Sequence, residues 1–278
     1  MMKRLTLLAL FTAFPIFAQV ADGDRHYAMR AEGAQGWRAK AEHIDAAIAA
    51  YQRGGTLESQ WKLLRAYRFK GAYVAATSEQ KKSVYATAKK AGEQALAAVN
   101  KLLAARGVKA NAPEKQVAEA ARAIPGAAEV FLWDAVNWGE WALAYGKMAA
   151  AREGAADRIR REATIAMLVD PRLEGAAPAR VLGRLHDQTP RIPFITGWAS
   201  QKEAVRFLNE SLKLDPTNKL TIVFLAEAMV ANDSKTKPQA IKMLRDAVSA
   251  PNDPEYPVEQ AAAAEDAKAL LRKWGVGG

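Results

Sequence analysis

The sequence predicts an all-α protein, and three observations carry that prediction. Most apolar side chains of the alanine-rich 278-residue chain recur at intervals of three and four, the spacing of one helical face. Nowhere do Val, Ile, Thr and aromatic residues alternate with polar ones over five or more positions, so strand signals are nearly absent. Gly, Pro, Asn and Asp punctuation cuts the chain into about eleven helices joined by short polar loops, the pattern of an α-solenoid built from helical hairpins.

Each helix has its own signals. The first expected helix runs from Ala39 to Gln52 and ends at Gly54-Gly55. Thr56 caps the next, which carries Trp61, Leu64, Tyr67 and Phe69 towards Tyr73. Ser78 opens a long helix to Ala105, closed by Gly107, and Asn111 reads as the cap of a helix through Pro113 and Glu114 that stops at Pro125-Gly126. One continuous helix is expected from Ala127 to Ala151, and another from Asp157 to Val169, stopped by Asp170-Pro171. Ala176 to His186, Ser200 to Leu214, Leu220 to Ala231, Pro238 to Ser249 and Val258 to Trp274 complete the set.

Internal repeats refine the class. Ala204, Leu208, Ser211 and Pro216 form a pattern that returns as Ala240, Leu244, Ala247 and Pro251, and again as Ile159, Ala163, Ala166 and Pro171. Partner helices carry Ala179, Leu182, Gly183, His186 and Ile222, Leu225, Ala226, Met229. Small residues let two antiparallel helices approach, Leu208 and Leu244 fill the seam, and the proline turns the chain into the next unit. That is the tetratricopeptide pattern, whose ideal period is about 34 residues. Here the second helices start 45 residues apart (Ile159 to Ala204) and then 36 apart (Ala204 to Ala240). The longer unit carries a Pro-rich insertion, Asp187 to Ser200. Trp61, Leu64 and Arg65, with Ala88, Gly92, Ala95 and Asn100, give a degenerate echo in the N-terminal half. The repeats are expected to stack into a curved rod.

The N-terminus reads as a cleaved signal peptide over residues 1–18. Lys3 and Arg4 precede a short apolar run from Leu5 to Phe17, and Ile16 with Ala18 suits a cut after Ala18. Residues 19–278 then form one repeat domain beyond the inner membrane, in the periplasm. The chain has no cysteine, which excludes disulfides, thiolate chemistry and the acylated Cys of a lipoprotein. The net charge of +10 is scattered, with no run of five like charges, so no nucleic-acid partner is expected.

Candidate binding residues fall in three places. Trp133, Asn137, Trp138 and Trp141, with Tyr145, lie on one helix and read either as core packing or as the aromatic wall of a ligand tunnel, Asn137 being its polar contact. Arg180 and Arg184 are one turn apart on the face that lines the concave groove of such arrays, and Glu227 holds the place in the next unit equivalent to Arg184. They read as an Arg184–Glu227 pair or as a grip for a carboxylate or phosphate. Phe194, Ile195 and Trp198 in the insertion read as a lid or docking loop, or as a cap on its own hairpin. His26, His43 and His186 show no metal-ligand spacing, and no phosphate loop or nucleophile elbow occurs, so no metal, cofactor or catalytic residue is expected. An enzyme on this scaffold, acting on a wall polymer, would need a pair such as Glu140 with Asp134, which point differently.

A further resemblance rests on the order of several runs. Trp133-Asp134-Ala135-Val136-Asn137-Trp138-Gly139-Glu140-Trp141 is followed by Val169-Asp170-Pro171 and by Arg180-Val181-Leu182-Gly183-Arg184-Leu185-His186. A Pro-rich insertion ending at Gly197 and the Leu214-Asp215-Pro216 helix end complete it. Over residues 40–274 this order resembles the T component of TRAP-type transporters, a periplasmic tetratricopeptide-like family. The resemblance implies degenerate repeats around a tunnel or groove, association with the substrate-binding subunit of an uptake system, a small hydrophobic or anionic ligand, and assembly into a homo-oligomer. The chain departs from that family in lacking the lipoprotein Cys. The function expected is that of a non-catalytic binding scaffold of the cell envelope. The alternative is a general adaptor for peptides or envelope enzymes.

Overall fold

The computed structural model of the protein describes residues 14–276; most of the expected leader lies outside them. Thirteen α-helices occur among the described residues and no β-strand does. In chain order they are α1 (Phe14–Ala28), α2 (Ala41–Gly54), α3 (Leu57–Phe69), α4 (Ser78–Ala104), α5 (Glu114–Ala121), α6 (Ala127–Tyr145), α7 (Lys147–Arg152), α8 (Ala155–Val169), α9 (Leu173–Gln188), α10 (Gln201–Leu214), α11 (Lys219–Asn232), α12 (Lys237–Ser249) and α13 (Pro257–Lys273).

Local chemistry sets the boundaries. The Thr56 side chain accepts from the Ser59 amide at the start of α3, and Thr77 accepts from Gln80 at the start of α4; in both cases the third residue answers back to form a capping box. Ser200 and Asn218 cap α10 and α11 by accepting from the Glu203 and Thr221 amides, without the reciprocal bond. Two expectations are corrected. The cap of α5 is Pro113, with no side-chain bond, and Asn111 stays outside the helix. The helix expected from Ala127 to Ala151 breaks at Gly146, whose φ of 91° leaves the right-handed region and separates α6 from α7. In α9, Glu174, Gly175 and Ala176 form a left-handed turn, so regular helix begins after Ala176. The sequence also gave no sign that residues from Phe14 onward continue as a helix into the domain.

Packing produces two layers. Neighbours in sequence pair antiparallel, as α3 with α4, α6 with α8, α9 with α10 and α11 with α12; α6 also touches α3 and α9, and α11 touches α9 and α13. Helices α3, α6, α9, α11 and α13 thus form an inner layer, and α4, α8, α10 and α12 an outer one. The repeat positions hold these layers together: Ala163, Ala166, Ala204, Leu208, Ala226, Ala240 and Leu244 have no exposed surface. Gly183 shows why small residues are required. A Cβ there would lie 2.5 Å from the Leu208 side chain and 3.1 Å from the Ala204 carbonyl oxygen.

The expected curved rod bends far enough for its two ends to meet. Val258 and the partly buried Ala262 of α13 enter the apolar cluster of α2 and α3 that includes Ile44, Tyr51 and Phe69. Beside them Arg30, just after α1, donates to the Glu259 carboxylate (3.0 Å) and to the Glu255 carbonyl (2.7 Å).

Two variants test this packing. Gly183→Ala should lower stability by about 1–2 kcal/mol, overpacking outweighing the helix-propensity gain, as read by urea unfolding. Arg30→Ala strands Glu259 and should cost about 3 kcal/mol while enlarging the radius of gyration in small-angle scattering. An unchanged radius would show that the seam does not hold the ends together.

Candidate functional site

Because the two ends meet, charged side chains of the inner layer converge on one interior region, the lumen. Arg65 and Arg68 project from α3, Glu140 from α6, Arg180 and Arg184 from α9, Glu227 from α11 and Asp266 from α13. Arg68 pairs with Glu140 (3.4 Å) and donates to the Tyr73 hydroxyl, and Arg65 reaches Glu174 (3.5 Å) while lying over the Tyr27 ring (4.1 Å). Arg68 keeps 19% of its side-chain surface in contact with solvent. The sequence does not single out Arg30, Arg65, Arg68 and Asp266: the last three are inward charges on inner-layer helices, visible only once the hairpins are paired in register, and Arg30 lies in the turn after α1.

Arg180 and Arg184, one turn apart, have different fates. Arg184 pairs with Glu227 (2.6 Å) across the α9–α11 boundary and with Asp187 (2.8 Å), and its guanidinium covers the Phe224 ring. Arg180 has no carboxylate within ion-pair distance among the described residues. It donates to the Gly175 carbonyl (2.9 Å) and the Thr221 hydroxyl (3.2 Å), pinning the left-handed turn of α9. Burial pulls its pKa down to about 10, with Asp215 resisting and Arg68 assisting. Burial also pushes the Asp266 carboxyl upward, against the pull of Arg184.

Next to Arg184 a groove of about 300 Å³ opens between α9, α11 and α13. Val223, Phe224 and Leu270 supply apolar wall, and Arg184, Glu227, Asp266 and Lys273 supply charges of both signs.

The aromatic run on α6 sits elsewhere. Trp138 is 2% exposed and Trp141 is also buried, in a cluster with Tyr85, Ile159, Leu182 and Phe207. Lys89 and Arg158 cover the Trp138 ring at 4.3 and 4.5 Å. Trp133 packs against the separate core of Leu64, Val130 and Ile165, and buried Asn137 donates to the Leu64 and Trp133 carbonyls, tying α6 to α3. These four residues hold helices together, and the structure does not bring them to the lumen groove. Asp134 and Glu140 are not brought together either: Glu140 faces Arg68 in the lumen, whereas Asp134 is fully buried against Arg158 (2.8 Å) and Glu162. Gly92 makes room for it, since a Cβ there would lie 1.7 Å from Asp134 Oδ1.

In the insertion, Trp198 lies against His186, with Arg160 over its ring, and donates to Asp157 (3.1 Å). Phe194 points away from the protein at a φ of 64°. His186, wedged between Trp198 and Phe207, has its pKa lowered by burial. His26 and His43 do meet, at 3.2 Å between Nδ1 atoms, but no group of three metal-ligating side chains forms among the described residues.

The fold and lumen define a helical-hairpin repeat protein closed by its terminal helix. No family model matches the chain, and no curated protein matches it. Among solved structures, the complex described as "TPR2AB-domain:pHSP90-complex of yeast Sti1" is similar at 14% identity and a TM-score of 0.33, over 94% of this chain and 98% of that one. The repeat architecture rests on the hairpins themselves.

The buried Asp134–Glu162 pair sets a pH dependence. Burial pushes the Glu162 carboxyl well above its ordinary value, and the neighbouring Asp134 carboxylate adds to the shift. The folded state therefore keeps a proton that the unfolded chain releases above about pH 4.5, so this pair lowers stability as pH rises from there towards neutrality. In Glu162→Gln, urea midpoints measured between pH 5 and 8 should lose that slope; an unaltered slope would place the proton elsewhere.

Proposed function

We propose that this chain is an exported, non-catalytic scaffold that receives a protein partner in the groove between α9, α11 and α13. The observation that carries the reading is the composition of that groove: a partly exposed Phe224 ring over the buried Val223 and Leu270, beside paired and unpaired charges, on the concave side of stacked hairpins. Apolar contacts would supply most of the affinity there, and the charges would set register and exclude wrong partners. Phe224, covered by Arg184, is the anchor, and Lys273 is a cation on the rim with no carboxylate partner among the described residues.

The finer form of the proposal is an accessory T component that meets the substrate-binding subunit of a TRAP-type uptake system. It rests on the order of the α6, α9 and insertion runs. Export rests on the leader read in residues 1–18. No helix among the described residues is long and apolar enough to cross a membrane.

The test is capture from a periplasmic extract with the tagged chain, comparing the double variant Phe224→Ala with Lys273→Glu against the parent. A solute-binding subunit recovered by the parent, and at least tenfold less by the double variant at an unchanged melting midpoint, supports the accessory role. Recovery of wall-synthesis enzymes would favour the adaptor reading. Equal recovery by both proteins would remove the groove from the interaction.

A further inference from the structure

Eight large hydrophobic side chains are exposed among the described residues, and six of them occupy one rim of the array: Leu143, Tyr145, Met148, Ile192, Phe194 and Ile195. Three contacts bring their segments to the same end. The Tyr145 hydroxyl meets the Lys82 carbonyl (3.4 Å), joining the end of α6 to the start of α4. Lys89 pairs with Glu153 (2.9 Å) in the turn after α7, and Trp198 donates to Asp157 (3.1 Å), fixing the insertion to the start of α8. The exposures are large: Phe194 107%, Met148 73% and Leu143 70%. Isolated exposed apolar residues need no explanation, but six on one rim do.

The charges of this rim have one sign to spare. Its carboxylates Glu153, Asp157 and Glu203 are engaged by Lys89, Arg160 and Arg206. Lys147, Arg152, Arg191 and Lys202 are exposed with no carboxylate at ion-pair distance among the described residues, and Glu79 is the unengaged acid at the start of α4. We infer that this rim docks on an anionic lipid surface, with Phe194 and its neighbours entering the headgroup region and the four cations meeting lipid phosphates. Two copies of the chain facing each other here would oppose like charges. A rigid protein partner would need a pocket for each projecting side chain, whereas a bilayer deforms around them. Apolar insertion together with nearby Lys and Arg is the physical recipe of peripheral membrane binding. The backbone supports it: Thr196 braces the loop by donating to the Pro190 carbonyl and accepting from the Ile192 amide, so the tip is held out.

The chain lacks cysteine, so Phe194→Cys and Leu102→Cys each provide a unique thiol for a nitrobenzoxadiazole probe. Leu102 lies at the far end of α4, about 30 Å along the helix from Lys82. With vesicles of equal parts phosphatidylglycerol and phosphatidylcholine, the probe at 194 should shift to the blue and be quenched by brominated acyl chains. Phosphatidylcholine alone should give neither effect, and the probe at 102 should not respond. Arg191→Glu with Lys202→Glu, checked for folding by circular dichroism, should weaken partition at least about tenfold. The inference is overturned if the 194 probe stays unmoved, if both probes shift alike, or if the charge reversal changes nothing. A 194 probe that ignores vesicles but is shielded by purified envelope protein would assign the rim to a protein instead.

Discussion

The guanidinium of Arg30 donates to Glu259 of the last helix and to the Glu255 carbonyl just before it, both more than two hundred positions away, and lies on the faces of Tyr27 (4.6 Å) and Phe69 (5.6 Å). Every other feature of the interior follows from that meeting of ends. Stacked hairpins alone would leave the first helices of each pair facing open water, where an ion pair contributes little. Once α13 returns to α2 and α3, the same side chains look into a confined space. There Coulomb interactions strengthen and desolvation becomes costly, so each charge must find a partner or a dipole.

The interior arginines meet that demand in different ways. Arg65 and Arg68 combine a carboxylate with an aromatic face, Arg184 holds two carboxylates, and Arg180 relies on a backbone carbonyl and a hydroxyl. The left-handed turn at Glu174–Ala176 is strained for two residues that have a Cβ, and it aims carbonyls at Arg180 that a regular helix would have used internally. Strain and charge offset each other within one turn of chain.

The fold was legible in the sequence because helix packing is decided by residues close in the chain. Ala204, Leu208, Ala240 and Leu244 announce their seam by spacing alone, and Thr56 announces its cap. What could not be read depends on distant partners. Nothing around Arg30 foretells Glu259, and nothing around Trp138 tells a core wedge from a ligand wall, since both require an aromatic at the same interval. Asp134 illustrates the limit further: its buried place requires a glycine on α4, forty-two positions away, that reads locally as one small residue among many. Of the sites proposed from spacing, Arg184 and Glu227 do come together, because the repeat puts them at equivalent positions in adjacent units.

Closure also limits how this architecture can change. An open solenoid can gain or lose a hairpin at either end and keep every remaining interface. Here an added or deleted pair would rotate α13 away from Arg30 and open the seam, so the number of units is fixed by geometry. Growth is confined to the connections, and the segment between His186 and Ser200 is where the chain has lengthened without disturbing the ring.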